Sequence, residues 1–290
     1  MIGTPGLVAG LVGIVALVPL VGAGGPDPGA ALAARALVAE RAVAADEALL
    51  ALERAMQPAL DLGRSGAARV VSGESPPGEA LAAAGALLVE ADALGAEAAS
   101  RVRALDGARR AMDAPPAPVD PPARTGELAS IGAQLEGAAP AADRFASMRL
   151  RAERLLTGLG AVVEALADGD TAAADVALAQ ARADHDELAA WEVDLVTLPV
   201  WVEASGALLD AAEALVAATA AGDARAAAEA ADAFALQRDG AASADRALRI
   251  AMGEGGAAVT AAPLGRLADL LRRTAEARAA VAGILQSVSR

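Results

Sequence analysis

Beyond residue 26 the chain consists almost entirely of long Ala/Leu/Glu/Arg stretches separated by short Gly/Pro/Asp breaks. Nowhere does it show the period-two β-branched runs that mark strands. This pattern predicts an all-α protein. Alanine makes up roughly 30% of the 290 residues, several times an ordinary share. It favours helix but buries little area, so the mean hydropathy of +0.40 overstates the core. Phe145, Trp191, Trp201 and Phe234 are the only aromatic residues. Alanine-lined seams should therefore bring helix axes to the close end of the usual range, about 8 Å, in long, thin bundles.

The breaks divide the chain. A first helix is expected from Gly29 to about Leu62, with a kink at Pro58, where the ring interrupts the hydrogen-bond ladder. Gly63, Ser65, Gly66, Gly73 and Ser75-Pro76-Pro77 then break it, with Ser75 placed to cap the next helix. From Leu81 to Met112, positions 81, 84, 88, 91, 95, 98, 102, 105, 109 and 112 step by three and four as a coiled-coil-like stripe, and only Arg109 among them is charged. The proline-rich run 114–123 cannot be helical and is the expected boundary. After it, Gly126 to Ala167 is read as helix with a break or kink at Pro140. Asp168-Gly169-Asp170 turns the chain, a helix follows to about Thr197, and Pro199 starts another.

Gly222-Asp223 repeats that turn chemistry 53 positions after Gly169, and a helix follows, ending near Gly253. The last helix is expected from Pro263 to Ser287, along a stripe through Leu264, Leu267, Leu271, Thr274, Arg278, Val281, Leu285 and Val288. The resulting organisation is a segment 1–26, a long antiparallel helical hairpin 27–113, a linker 114–124 and a five-helix bundle 125–290.

Residues 1–26 up to Pro26 carry no charged side chain, and Gly6 to Ala23 is about long enough to cross a hydrocarbon core as a helix. Two membrane readings compete. A cleaved signal would use Leu7 to Val18 as its apolar stretch and Val21-Gly22-Ala23 as its cleavage site, without a basic start. A retained anchor would offer Gly6-x-x-x-Gly10 for close helix approach. Arg35 and Arg41 follow the segment and no basic residue precedes it, which opposes export on charge alone. The cleavage-like tripeptide and short uncharged start favour export nonetheless. The body is thus expected outside the cytoplasm, secreted or tethered to the membrane through this segment.

Charge and residue types exclude several chemistries. Net charge −14 opposes nucleic-acid binding, which needs clustered Lys or Arg to displace counterions from phosphates; Lys, Asn, Tyr and Cys are absent and all 24 basic side chains are arginine. Without cysteine there is no thiolate nucleophile or Cys-ligated zinc, and without lysine no phosphate-binding P-loop. Gly253-Glu-Gly-Gly256 lacks the preceding strand of a dinucleotide site, and no G-x-S-x-G occurs. Asp168-Gly-Asp170 lacks the alternating ligands and terminal glutamate of a calcium loop, so it reads as a helix cap. His185 is the single histidine. Positions three and four from it hold Ala181, Arg182, Leu188 and Ala189, which makes it a solvated histidine on an acidic helix rather than a metal ligand. No catalytic, cofactor-binding or metal-ligating residue is expected.

Residues 164–194 hold nine acidic residues and one arginine, whereas 264–290 hold five arginines against Asp269 and Glu276. Pairing within the chain is the simple expectation for these charges. The sharper alternative is an anionic lipid surface or acidic partner meeting the basic helix. Trp191 and Trp201 flank the Thr197-Leu198-Pro199 break as the expected anchors of an alanine-filled core, and are the candidate ligand or partner contacts should they prove exposed. The leading reading is a non-enzymatic envelope or secreted protein acting on an unidentified protein partner through helix contacts. An extracytoplasmic sensor or small-ligand module is the alternative.

Overall fold

A computed structural model describes residues 28–72, 76–112, 119, 123–191 and 195–289. The expected signal or anchor, and the cap expected from Ser75, lie outside the described residues. Six helices account for nearly all of the rest: α1 (Pro28–Ser72), α2 (Pro77–Arg110), α3 (Glu127–Ala167), α4 (Thr171–Ala189), α5 (Thr197–Ala220) and α6 (Ala224–Val288). The fold is all-α. Among the described residues there is no strand, and no helix is long and apolar enough to cross a membrane.

At 1.5 Å per residue, α3 is about 62 Å long and α6 about 98 Å. Antiparallel to each other, they form the two continuous members of an elongated assembly. Glu127 at the start of α3 meets Arg273 of α6, and Glu153 further along meets Arg249. Two hairpins pack on this pair, α1–α2 towards one end and α4–α5 towards the other. Each completes a four-helix core. The first is built on Leu49, Leu52 and Met56 of α1, Leu81, Leu88 and Leu105 of α2, Leu128, Ile131 and Leu135 of α3, and Leu267, Leu270 and Val281 of α6. The second joins Met148 and Leu155 of α3 and Leu248 and Met252 of α6 to Leu188 of α4 and Trp201, Leu208 and Leu209 of α5. Phe145 packs against both.

The division between the two cores thus falls inside α3 and α6. At the expected boundary 114–124, the described residues Val119 and Ala123 pack on the first core, with Ala123 buried beside Gly95.

Glycines account for two departures from expectation. The first helix runs on to Ser72 instead of breaking at Gly63, and α6 is one helix where two were expected around Gly253 and Pro263. Among the described residues of 127–288 there are therefore four helices, not five. A Cβ at Gly63 would stand 2.5 Å from Leu264 Cδ2, one at Gly66 2.9 Å from Leu81 Cγ, and one at Gly255 2.9 Å from Phe145 Cζ. At these glycines neighbouring helices press together. The propensity penalty of about 1 kcal/mol each is offset by the contacts the missing side chains permit. Pro58, Pro140 and Pro263 likewise lie within helices that continue through them. A proline in a helix interior costs about 3 kcal/mol, and packed turns on both sides oppose the break.

Backbone meets backbone most closely at the crossing of α2 and α3. There a Cβ on Gly85 would lie 2.7 Å from the Gly132 carbonyl oxygen, and one on Gly132 2.6 Å from that of Gly85. The same two helices cap each other. Asp92 of α2 accepts hydrogen bonds from the amides of Gly126 (3.2 Å) and Ala129 (3.3 Å) at the start of α3, while Asp143 of α3 accepts from Gly78 N (2.7 Å) in the first turn of α2. Each carboxylate sits where a helix leaves amides unpaired and its dipole is positive.

Candidate functional site

At the far end of the second core, the two aspartate turns are built alike, as their sequences predict. Gly169 and Gly222 have φ of 76° and 71°. The following amides return to the preceding helices, Asp170 N to Ala165 O and Asp223 N to Ala218 O. Asp170 then accepts from Ala173 N at 2.9 Å, and Asp223 from the amides of Arg225 and Ala226. Both aspartates are structural caps.

His185 departs from the expectation of a solvated side chain. It is 8% exposed, and its ring stacks on Trp201 with centroids 5.9 Å apart. Nε2 stands 3.1 Å from the Val202 carbonyl oxygen and Nδ1 3.2 Å from Asp186 Oδ1. Gly206 on α5 lies beside the imidazole, where a Cβ would make ordinary contact with Nε2 at 3.5 Å. Sequence spacing missed this because the ring's partners lie on α5 and on the adjacent residue, not three or four positions away on α4. Trp201 itself is 1% exposed and Trp191 is half-buried, so both belong to the second core.

The basic stretch of α6 is paired within the chain, but not with the acidic segment of residues 164–194. Arg278 reaches Asp46 (3.3 Å) and Glu53 (2.6 Å) of α1, Arg273 reaches Glu127 of α3, and Arg266 donates to Gln134. The buried line of α6 runs through Leu270, Ala277 and Ile284, which puts Arg278 at the seam's edge where α1 carboxylates meet it. The Glu53 carboxylate, then that of Asp46, raises the Arg278 guanidinium further above its ordinary value. The acidic α4 is instead served by Arg151 of α3, which pairs with Asp184 and Glu187, and by its own Arg182, which reaches Asp210 and Glu213 of α5.

One cleft in this framework combines space with unspent polar chemistry. It is 590 Å³ in volume and lies between Arg149 and Leu156 of α3 and Ala242, Asp245, Arg246, Arg249, Ile250, Gly253 and Glu254 of α6. Steps of three, four and seven place these residues on facing sides of the two helices. Asp245 is only 2% exposed. Arg249 donates to its Oδ2 at 2.6 Å, while Oδ1 is buried without a hydrogen-bond partner. Leaving such an acceptor unpaired costs about 1–3 kcal/mol. Arg249 also approaches Glu153 (3.5 Å), as does Arg149, whose guanidinium donates to the Val71 carbonyl at the end of α1. A smaller cleft of 320 Å³ lies between α1 and α2 over Ala44, Ala48, Ala51 and Leu94, with Glu47, Glu97 and Arg101 at its rim. Neither cleft is lined by Trp191 or Trp201.

No cluster of His, Asp or Glu suited to hold a metal ion occurs among the described residues. Asp245 and Arg249 were not singled out by sequence, because Asp and Arg four apart are common on such helices and nothing local marks Asp245 as buried. Fold and site together describe a class, an elongated all-helical assembly of two four-helix cores with an arginine-bearing lateral cleft. No family model matches the chain, and neither a curated protein nor a solved structure matches it.

Proposed function

We propose that the chain is a non-enzymatic, exported or membrane-anchored helical protein that works through protein–protein contacts at the cell envelope, with the membrane reached through residues 1–26 and no nucleic acid among its partners. The observation that carries this reading is the start of α1. Its first residue in the core is Val38. Residues 29–37 are exposed except for a half-buried Ala34, and Leu32 is 62% exposed. That stretch, about 14 Å of helix, follows directly on the apolar segment and gives a tethered body room to stand clear of a lipid surface. Further apolar side chains reach solvent on other faces, among them Val176, Val196 and Leu236. They offer points of contact without forming part of either core.

Cell fractionation with mass spectrometry of the mature N-terminus tests the location. A chain beginning at Gly24 is exported, one beginning at Met1 in membranes is anchored, and one beginning at Met1 in the cytosol defeats the proposal. For the contacts, Leu32, Val176, Val196 and Leu236 are changed to glutamate in turn, and undiminished partner recovery in every variant defeats that part.

A second reading, a small-ligand or sensor module, is favoured by the 590 Å³ cleft between α3 and α6. This moves the candidate ligand position from the Trp191 and Trp201 junction to the other helix pair. A ligand there would bridge the two helices that run through both cores.

A further inference from the structure

We propose that the α3–α6 cleft binds a small aliphatic monocarboxylate, whose carboxylate takes the place that the Glu153 side chain holds between Arg149 and Arg249 and whose tail lies along Leu156 and Ile250. The inference rests on the ligand-module reading and specifies its chemistry. The protein already places a carboxylate of its own at this point. Glu153 Oε1 stands 3.5 Å from both Arg149 Nε and Arg249 Nη1, so two guanidiniums converge on one oxygen. Charge-assisted hydrogen bonds of this kind close to about 2.7–2.9 Å when geometry allows. The tethered carboxylate therefore serves both arginines loosely, and a free one, not fixed to α3, can approach each more closely.

Both guanidiniums are within reach of a ligand. The Arg149 and Arg249 side chains are 21% and 34% exposed, and both line the cleft. Each is also anchored elsewhere, Arg149 by donating to the Val71 carbonyl and Arg249 by donating to the buried Asp245 at 2.6 Å. A guanidinium carries five N–H donors, so these anchors fix the two cations in place and leave donors over. Asp245 is committed to that anchoring and is not itself offered to the ligand. Glu153 differs, since its side chain is 40% exposed and its carboxylate bonds only these two arginines among the described residues. It can turn out into water when a ligand enters. Arg246, exposed and one turn before Arg249, makes no hydrogen bond or ion pair with the described residues and adds an uncommitted cation to the cleft wall.

Charge and shape narrow the class. Arg149, Arg246 and Arg249 are balanced by Asp245, Glu254 and the adjoining Glu153. One carboxylate that displaces another leaves this balance unchanged, whereas a dianion adds negative charge to an acidic chain and a cation meets the guanidiniums. Leu156 and the 57%-exposed Ile250 supply apolar surface, and at Gly253 a Cβ would meet nothing within 4 Å. A short aliphatic tail has room there and takes the exposed isoleucine out of water.

Calorimetry and thermal shift on the full chain, with four probes, test the inference: hexanoate, hexylamine, acetate and inorganic phosphate. Hexanoate is expected to bind and raise the melting temperature. Acetate, which lacks the tail, and hexylamine, which lacks the carboxylate, are expected to bind at least about tenfold more weakly. Glu153→Ala removes the competing carboxylate and is expected to tighten hexanoate binding about tenfold, an effect that a merely structural ion pair would not give. Arg149→Gln should weaken it about tenfold, and Gly253→Leu, whose side chain grows into open space, should block it. Glu153 is half-exposed and Gly253 unobstructed, so those two variants keep the fold even if Arg149→Gln disturbs it. Equal binding of hexanoate and hexylamine overturns the inference, as does hexanoate binding that Glu153→Ala fails to tighten or that Gly253→Leu leaves intact. Binding of phosphate or hexylamine but not hexanoate, lost in Gly253→Leu, overturns the monocarboxylate while sparing the ligand module. No binding by any probe overturns both.

Discussion

Replacing Gly85 with alanine adds a single methyl group where α2 crosses α3, at 2.7 Å from the Gly132 carbonyl oxygen. Ordinary contact begins near 3.4 Å, so the helices must part by about 0.7 Å. The obstacle is backbone, and no rotamer change relieves it. Leu81 and Leu88 on α2 and Leu128 and Leu135 on α3 lie one turn on either side of the crossing, and all four are fully buried. A radial gap of 0.5–1 Å forfeits roughly a quarter to a half of each contact worth about 0.1–0.2 kcal/mol, and each buried leucine makes roughly 40–60 contacts, a fraction of them across this seam. The loss sums to about 2–4 kcal/mol. Against it stands the gain of about 1 kcal/mol from replacing glycine with alanine inside a helix. Gly85→Ala is expected to destabilise by about 1–3 kcal/mol. The matched change Gly283→Ala, where a Cβ meets nothing within 4 Å, should stabilise by about 0.5–1 kcal/mol. Urea unfolding followed by far-ultraviolet circular dichroism reads both as opposite shifts in midpoint at constant slope. Shifts of the same sign in the two variants would refute the assignment of Gly85 to close packing.

Trp201→Ala removes the largest fully buried side chain and should cost about 3–5 kcal/mol. A double-mutant cycle with His185→Ala should return a coupling of about 0.5–1.5 kcal/mol for the stacked pair, and zero coupling would mean that the stack contributes nothing. Asp143→Ala leaves the Gly78 amide without its acceptor, which should lower stability by about 0.5–2 kcal/mol and speed amide exchange in the first turn of α2, with Asp143→Asn milder. The Asp269 carboxyl is held below its ordinary value of 3.8, chiefly by its hydrogen bond from Arg272 and also by the charges of Arg272 and Arg273. Its contribution is therefore fully present above that value and lost as pH falls through the lower folded one. In Arg272→Ala the Asp269 titration, followed by NMR, should move back up. An unmoved titration would contradict the pairing.

Much of the helical framework was legible because helix formation and capping are local. The α2 stripe from Leu81 to Leu105 is buried at every position named from its spacing. The turns at Gly169 and Gly222 are built from residues within a few positions of each other, so their chemistry could be read directly. Local reasoning took the glycines at 63, 66 and 253–256 for helix ends, because glycine opposes helix when nothing else acts. Tertiary structure reversed that reading by bringing Leu264, Leu81 and Phe145 against them. The same holds for His185, buried by α5, and for Arg278, directed to α1 instead of the acidic segment. Asp245 became a candidate site residue only when α3 came alongside α6. Patterning and capping act within a few residues and were determined by sequence alone, whereas close approach, burial of charge and the pairing of distant helices depend on contacts between residues far apart in the chain, and only the tertiary structure decided them.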